Sequence, residues 1–341
     1  MSDTTSIQQL GEFGLIQRLT KSFASHNKET IRAVGDDAAV IDPSQSRVVI
    51  TTDMLVEGIH FDRMYTPLKH LGYKSVVVNL SDVYAMNAIP KQITVSLAVS
   101  SRYTVEALEE IYAGIALACS RYQVDLVGGD TTSSTSGLII SVTALGFVQP
   151  EDVVYRSGAK PGDLICVSGD LGAAYLGLQL LEREKRVFLE SGAQPDLENQ
   201  TYLIERQLKP EARKDVIAFF ADQHIRPTAM IDISDGLSSD LLHICTQSQV
   251  GCLIEESRVP VSEEAYAMAL KFNIDPITCA LSGGEDYELL FTIEPEDETK
   301  IAGESAFTII GEIVSADQGT QLRTKGGNLH PLKAQGWNHF G

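Results

Sequence analysis

The sequence has no long apolar run, few cysteines and no excess of basic residues. No apolar stretch reaches the roughly 20 residues that a membrane-spanning helix needs, and residues 1–10 lack the basic and apolar regions of a signal peptide. The five cysteines are not spaced in the close pairs that are typical of zinc and redox motifs. We therefore predict a cytoplasmic protein that contacts no membrane and whose cysteines are reduced core residues.

Basic residues are outnumbered by acidic ones. Against 46 Asp and Glu there are 27 Lys and Arg, which gives a net charge of −19. Nucleic acid is therefore not an expected partner, because no basic stripe is available to displace its counterions. Acidic residues often serve only solubility, but here many of them fall into clusters. A polyanionic ligand is expected to bind such clusters only through divalent cations.

Two common nucleotide-binding signatures are missing as well. The chain contains neither the Gly-Lys-Ser/Thr of a P-loop nor the G-x-G-x-x-G of a dinucleotide site. The turn Gly169-Asp170-Leu171-Gly172, before a predicted helix, is either an anion site at a helix N-terminus or a plain tight turn. No Ser/His/Asp or Cys/His spacing indicates a covalent nucleophile, and a phosphate acceptor that is already a dianion near neutral pH needs no strong base.

The hydrophobic pattern predicts an α/β protein with mixed sheets. At 341 residues the chain fits two domains of ordinary size, and a run of turn residues at 149–163 predicts a boundary that gives domains 1–149 and 150–341. Apolar periodicity predicts strands at 47–52, 92–100, 124–127, 137–148, 164–168, 229–233, 287–293 and 307–314. It predicts helices at 10–22, 69–86, 104–122 and 173–189, and helices that begin at Glu211 and at Asp235.

Aspartates recur where these apolar segments end. Mg²⁺ prefers oxygen ligands and is usually held by one or two carboxylates together with phosphate oxygens and water. A single aspartate before a glycine is more often a turn residue or a helix cap, but six in such positions predict a shared metal site. The set consists of Asp37, Asp53, Asp82, Asp130, Asp232 and Asp235, with the hydroxyls of Thr51, Thr52 and Ser234.

Three other features have two interpretations each. Arg156 either clamps a phosphate bidentately or is an ordinary surface arginine. His60, seven residues after Asp53, is either structural or part of the site. Glu285 and Asp286, between a glycine pair and a predicted strand, form either a hairpin turn or a functional polar cluster.

The motifs of this chain, taken in their order, resemble those of a known family. Along the chain occur Gly35-Asp36-Asp37-Ala38-Ala39, Thr51-Thr52-Asp53, Asn79-Leu80-Ser81-Asp82, Gly128-Gly129-Asp130-Thr131-Thr132, Asp232-Ile233-Ser234-Asp235-Gly236 and Ser282-Gly283-Gly284-Glu285-Asp286-Tyr287-Glu288. Together they resemble the thiamine-monophosphate kinases, which belong to the aminoimidazole ribonucleotide synthetase-like superfamily. The similarity runs from Gly11 to Phe340, essentially the whole chain.

The resemblance implies both a fold and a reaction. The fold is a two-domain aminoimidazole ribonucleotide synthetase-like α/β fold, in which the N-terminal domain binds ATP and metal and dimerises through its sheet, while the C-terminal domain completes the active site. The reaction is the ATP-dependent phosphorylation of thiamine monophosphate to thiamine diphosphate by direct in-line transfer, the final step of thiamine diphosphate biosynthesis. It requires several Mg²⁺ ions, with ATP as co-substrate and a homodimer as the assembly.

The resemblance also implies a role for each matching residue. The magnesium ligands are Asp37, Thr51, Thr52, Asp53, Asp82, Asp130, Asp232 and Asp235. The ATP-binding residues are Tyr112, Gly129, Asp130, Arg156 and Ser234, and the substrate-binding residues are His60, Glu285 and Trp337.

Two rival interpretations remain at this stage. A sister enzyme of the same superfamily, an aminoimidazole ribonucleotide or selenophosphate synthetase, also uses ATP to activate an oxygen. A non-enzymatic binder of divalent ions is the alternative of a different class, although the D-x-[DN]-x-[DN]-G calcium loop is absent.

Overall fold

The computed structural model describes residues 18–32 and 40–334. The chain divides into two compact units, one of Met1–Tyr84 with Ala88–Glu151 and the other of Ala85–Asn87 with Asp152–Gly341. Each unit combines a sheet with helices, so the α/β class with mixed sheets is confirmed. No helix within the described ranges is long and apolar enough to span a membrane. The boundaries 1–149 and 150–341, with the roles assigned to them, stay a prediction.

The first unit contains a four-stranded sheet and two long helices. Its strands are β1 (Thr30–Arg32), β2 (Val40–Ile41), β3 (Arg47–Val56), β4 (Ile89–Val99), β5 (Asp125–Ser133) and β6 (Leu138–Val148), and its helices are α1 (Leu68–Ala85) and α2 (Val105–Tyr122). The sheet order is β3-β6-β4-β5, with β1 and β2 paired separately. β4 and β5 are parallel and are joined through α2, while β6 is antiparallel to both of its neighbours.

Two glycines allow α1 and α2 to cross in backbone contact. A Cβ added to Gly72 would lie 1.9 Å from the carbonyl oxygen of Ile111, and a Cβ added to Gly114 would lie 1.9 Å from that of Lys69. Both distances are far below van der Waals contact, so only glycine fits at either position. The crossing holds α1 in the interior, where Leu71 and Leu80 are buried.

The second unit is built on a seven-stranded sheet. Its strands are β7 (Leu164–Ser168), β8 (Ala229–Asp232), β9 (Gly251–Glu255), β10 (Leu289–Ile293), β11 (Phe307–Val314), β12 (Thr320–Arg323) and β13 (Leu329–Pro331), in the order β13-β12-β9-β11-β7-β10-β8. All neighbours are antiparallel except β9 and β12. The central strands β7 and β10 are almost wholly buried, which explains why they read as continuous apolar runs.

The helices of the second unit are α3 (Ala173–Ser191), α4 (Thr201–Leu208), α5 (Lys214–Gln223), α6 (Leu237–Ser248), α7 (Glu263–Lys271), α8 (Pro276–Ser282) and α9 (Glu298–Ile301). The predicted apolar face of α6 is confirmed, because Leu237, Leu241 and Ile244 belong to the buried core. The prediction of a helix start at Glu211 is wrong. The helix starts at Lys214, and the residues before it instead bring Arg213 to the buried carboxylate of Glu288.

Candidate functional site

In the first unit, α1 is tied to β3 by polar contacts at two of the predicted positions. Thr51 Oγ1 donates a hydrogen bond of 2.6 Å to Asp82 Oδ2, and the backbone N–H of Asp53 donates one of 2.9 Å to Asn79 Oδ1. Thr51 and Asp53 share a face of the strand, and Asn79 and Asp82 lie one turn apart on the helix, so both contacts form together. The structure therefore brings Thr51, Asp53 and Asp82 into one cluster.

This cluster has the donor chemistry of a Mg²⁺ site. Burial raises the pKa of Asp53 to about 6, and the negative charge of Asp82 contributes to the rise. Two close carboxylates that repel each other provide a place where a cation is favoured. Within residues 18–32 and 40–334, no three His, Cys, Asp or Glu side chains are grouped so that they could hold a metal ion by themselves. The pair nevertheless fits Mg²⁺, which usually takes one or two carboxylates with phosphate oxygens and water.

Thr52 and Asp130 lie elsewhere on the sheet. Thr52 faces away from α1, and its hydroxyl donates to the carbonyl oxygen of Val142 and accepts from Thr143. Asp130 lies on β5, which is separated from β3 by two strands and therefore by roughly 14 Å.

The strand register also gives the face on which Asp130 lies. Asp130 is aligned with Ser96 of β4, and Ser96 is aligned with Ser141 of β6. Ser141 is in turn aligned with Met54 of β3. Aligned residues on paired strands share a face, so Asp130 lies on the face opposite to Asp53. Within one chain, the structure does not bring Asp130 to the Asp53–Asp82 cluster.

His60 lies in a tight loop directly after β3. Its Nδ1 accepts a hydrogen bond of 3.1 Å from the backbone N–H of Val56, while the N–H of Gly58 donates to the carbonyl of Phe61. An Nδ1 that accepts leaves the proton of a neutral ring on Nε2. The loop thus fixes the orientation of the ring.

Two of the predicted ATP-binding residues of the first unit have clear structural roles. Tyr112 is 8% exposed on α2, packs edge-on against Phe23, and burial raises its pKa to about 12. A Cβ at Gly129 would lie 1.9 Å from the carbonyl oxygen of Val95, so the strand contact itself requires glycine. Their ATP-binding roles stay predictions. Two further predicted residues, Asp37 and Trp337, lie outside the described residues.

In the second unit, two motifs that lie 50 residues apart in sequence meet at the end of β8. The N–H of Glu285 donates to the carbonyl oxygen of Ser234 at 2.7 Å, and the N–H of Tyr287 donates to that of Ile233 at 2.9 Å. A Cβ on Gly284 would lie 2.6 Å from the carbonyl oxygen of Ser234, so this close approach depends on glycine. The predicted residues Ser234 and Glu285 are therefore neighbours, and Asp232 lies at the end of the same strand.

A buried carboxylate that was not among the predicted site residues lies beneath this turn. Asp240 is 2% exposed, and its Oδ2 accepts a hydrogen bond of 3.3 Å from the N–H of Asp235. Burial raises the pKa of Asp240 to about 7 and the charge of Asp235 adds to the rise, while Arg156 opposes it. Arg156 is thus near Asp240 and the Ser234–Asp235 turn, and its ATP-binding role stays a prediction. The spacing D-G-x-x-x-D at the start of a helix was the available signal.

The loop that carries Arg156 is itself anchored to α6. Ser248 Oγ accepts hydrogen bonds from the backbone N–H groups of Gly158 and Ala159 at 3.1 and 3.2 Å, and it donates to the carbonyl oxygen of Arg156. Gly158 has a φ of 127°, a conformation that favours glycine. The backbone around Arg156 is therefore fixed by the helix that begins at the Asp235-Gly236 turn.

A network of buried charges lies behind Glu285. Glu288 is 3% exposed and is bound by Ser168, Arg206 and Arg213, with Arg206 Nη1 at 2.8 Å. Asp286 is 1% exposed and accepts from the N–H groups of Gly172 and Ala174 at the start of α3. The chain's own carboxylate thus occupies this helix N-terminus, so the plain-turn interpretation of 169–172 is confirmed and the anion site is wrong.

Family models and curated proteins match this chain over most of its length. The model of AIR synthase related protein, N-terminal domain, matches residues 35–148, and that of AIR synthase related protein, C-terminal domain, matches residues 160–322. Thiamine-monophosphate kinase of Aquifex aeolicus (strain VF5) is 36% identical over 336 residues, which cover 98% of this chain and 99% of that protein. The enzyme of the same name from Bacillus subtilis (strain 168) is 32% identical, with 97% and 100% covered.

A solved structure agrees. The structure described as AaThiL complexed with AMPPCP and TMP superposes with a TM-score of 0.76 at 34% identity, over 99% of this chain and 100% of that chain. In all three comparisons an identity above 30% extends over 97 to 99% of this chain. The chain therefore belongs to the AIR synthase related proteins and, within them, to the thiamine-monophosphate kinase family.

Proposed function

We propose that this protein transfers the γ-phosphoryl group of ATP to thiamine monophosphate and forms thiamine diphosphate and ADP. A phosphate oxygen of thiamine monophosphate attacks the γ-phosphorus in line, and the bond between that phosphorus and the β–γ bridging oxygen breaks. ADP leaves with the bond's electron pair. No covalent enzyme intermediate is needed, because the attacking phosphate is already an anion near neutral pH.

One observation carries the proposal beyond family membership. Asp53 on β3 and Asp82 on the buried helix α1 lie close enough for the charge of Asp82 to raise the pKa of Asp53. A nearby cation would stabilise such a pair as two anions. Phosphoryl transfer between two polyanions in a protein of net charge −19 needs such cations.

We assign Mg²⁺ to the predicted oxygen ligands. Thr51, Asp53 and Asp82 would hold it in the first unit, and Asp232 and Asp235 in the second, with Asp37, Thr52 and Asp130 completing the predicted set. Bound Mg²⁺ supplies neutralisation of the phosphate charge that builds up during transfer. The protein's own contribution is to fix these carboxylates on β3, α1 and the β8–α6 turn, so that no reorganisation is needed during the reaction.

The remaining residues would bind and orient the two substrates. Arg156 is suited to a phosphate of ATP because a guanidinium forms two parallel hydrogen bonds to phosphate oxygens, and Ser234 lies on the adjacent turn. His60 presents a donor at Nε2 and Glu285 an acceptor to thiamine monophosphate. Trp337 is assigned to stack on its rings, and Gly129 and Tyr112 complete the predicted ATP contacts.

We further propose that the protein is a homodimer formed through the first unit's sheet. The face of this sheet opposite to α1 exposes a row of large apolar residues, with Ile50 at 65%, beside Val48, Met54 and Ile89. A contiguous apolar face of this kind is typical of an interface between subunits. The predicted ligands Thr52 and Asp130 lie on the same face, so dimerisation and metal binding are connected. A cytoplasmic location, with neither nucleic acid nor membrane as partner, stays a prediction.

The test is an assay of the purified protein with ATP, Mg²⁺ and thiamine monophosphate. ADP release is followed by a coupled reaction, and thiamine diphosphate is quantified in the same samples. We expect equal amounts of both products, formed only when thiamine monophosphate is the acceptor. Release of ADP with the acceptor of a sister enzyme, or without formation of thiamine diphosphate, would contradict the proposal.

A further inference from the structure

Glu285 has a backbone conformation that the surrounding structure must hold in place. Its φ is 59°, in the left-handed region that residues with a Cβ rarely adopt. Such a conformation persists only where neighbouring contacts determine it, and it is often found at binding sites. The hydrogen bond from its N–H to the carbonyl oxygen of Ser234 holds one side of the residue.

The buried charge network holds the other side. Asp286, directly after Glu285, is fixed by the start of α3 and lies 3.7 Å from Arg206. Glu288 is fixed by Arg206 and Arg213. The backbone that carries Glu285 is therefore anchored on both sides, and only its side chain still requires a partner that sets its direction.

That partner is Gln207 on α4. It is 5% exposed, and its Nε2 donates a hydrogen bond of 2.8 Å to Glu285 Oε2. Gln207 follows Arg206, so neighbouring residues of one short helix bind Asp286, Glu288 and Glu285. A neutral amide orients a carboxylate without cancelling its charge, whereas a lysine or arginine here would neutralise it.

We propose that Gln207 is a positioning residue that fixes the Glu285 carboxylate for the nitrogen donors of thiamine monophosphate. This inference rests on the proposed function, in which Glu285 contacts the substrate. The hydrogen bond from Gln207 Nε2 to Glu285 Oε2 is the contact through which Gln207 acts on the substrate site. It therefore affects the affinity for thiamine monophosphate and leaves the binding of ATP and the transfer step unchanged.

The test replaces Gln207 by methionine, which has the same length and no donor. Since a hydrogen bond to a charged group is lost, we expect the KM for thiamine monophosphate to rise about tenfold in Gln207→Met. The KM for ATP and kcat should stay within about twofold of the unmodified protein, a split that general loss of structure does not produce. The matched control is Glu205→Met on the exposed side of the same helix, which should leave all three constants unchanged.

Two further variants separate positioning from packing. Gln207→Glu keeps the shape of the side chain but places an acceptor opposite Glu285, so the KM for thiamine monophosphate should rise at least as far as in Gln207→Met. In a Glu285→Ala background, Gln207→Met should add no further increase, because the carboxylate that it orients is gone. If Gln207→Met does not fold, the Gln207→Glu comparison decides the same question.

The possible outcomes are distinct. An unchanged KM for thiamine monophosphate in folded Gln207 variants, or an equal rise in both KM values, would overturn the role of Gln207 alone. A Gln207→Met effect that persists in the Glu285→Ala background would also overturn it. Unmodified protein that forms no thiamine diphosphate would overturn the proposed function together with this inference.

Discussion

Changing Asp53 to asparagine should have opposite effects on stability and on activity. Without metal the variant should be more stable than the unmodified protein, and its turnover should be much lower. Asparagine keeps the shape of the side chain and removes its charge, while the hydrogen bond to Asn79 comes from the backbone N–H and is retained. We expect a folded protein with turnover reduced at least about 100-fold, because a charge needed to hold the metal is lost.

The magnitude of the stability change follows from the pKa. Asp53 has a folded-state pKa of about 6 against an ordinary value of 3.8. The contribution of Asp53 to the free energy of unfolding is therefore most favourable below pH 4, and it decreases as the pH rises through about 6. The full shift corresponds to about 3 kcal/mol. Asp53 is only partly removed from solvent, however, because its carboxylate is desolvated beside Asp82 while the residue keeps an exposed surface. Screening therefore reduces the effect to about 1 kcal/mol. Without metal at about pH 8, Asp53→Asn should be more stable than the unmodified protein by this amount.

Urea denaturation in the presence of a chelator measures the difference at about pH 8 and again near pH 4. It should be much smaller near pH 4, because Asp53 is then protonated in the folded state and about half protonated in the unfolded state. Adding Mg²⁺ should stabilise the unmodified protein and leave Asp53→Asn almost unaffected. The control is Asp42→Asn, an exposed loop residue of the same unit. A near-native turnover of Asp53→Asn would remove Asp53 from the metal site, and a stability below that of the unmodified protein at about pH 8 without metal would refute the repulsion between Asp53 and Asp82.

Three further predictions concern packing, the buried network and the sheet face. Gly114→Ala should lower the free energy of unfolding by about 3 kcal/mol in urea denaturation, because the added Cβ would overlap a backbone carbonyl on α1. The control is Gly326→Ala, which has room for a methyl group and should lower the free energy of unfolding by less than about 1 kcal/mol. Arg213→Met should lower the free energy of unfolding by about 3 kcal/mol, since the buried carboxylate of Glu288 would then be paired with Arg206 alone of its two arginines. A loss below about 1 kcal/mol in the same experiment would show that the Arg213–Glu288 pair contributes little. Ile50→Asp should shift the protein from dimer to monomer in analytical ultracentrifugation, whereas an unchanged sedimentation coefficient would exclude this face as the interface.

Local signals were sufficient for most of the elements. Apolar runs predict the strands from Arg47, Leu164 and Phe307, and the amphipathic period predicts α2. The structure adds that Thr104 caps this helix. These signals extend over only a few residues, so they can be read from the sequence without knowledge of the fold. Helix α5 was misplaced because the preference of proline for helix starts was outweighed by the distant pairing of Arg213 with Glu288.

In the site, too, local spacing could be read from the sequence, whereas the distant contacts could not. The spacing of Thr51 and Asp53, and of Asn79 and Asp82, determined in advance which side chains share a face, and the structure joins the two faces. The roles of the individual site residues, including Asp37 and Trp337, stay predictions.

The sequence by itself determined many of the elements, the family and the identity of the acidic motifs, because these depend on local pattern and on residue type. Only the tertiary structure decided which motifs meet. It placed Asp130 two strands away from Asp53, buried Asp240 under the Asp235 turn and brought Gln207 to Glu285. The reason is physical: strand order and helix packing are set by the burial of apolar surface over the whole unit, and no short stretch of sequence contains that information.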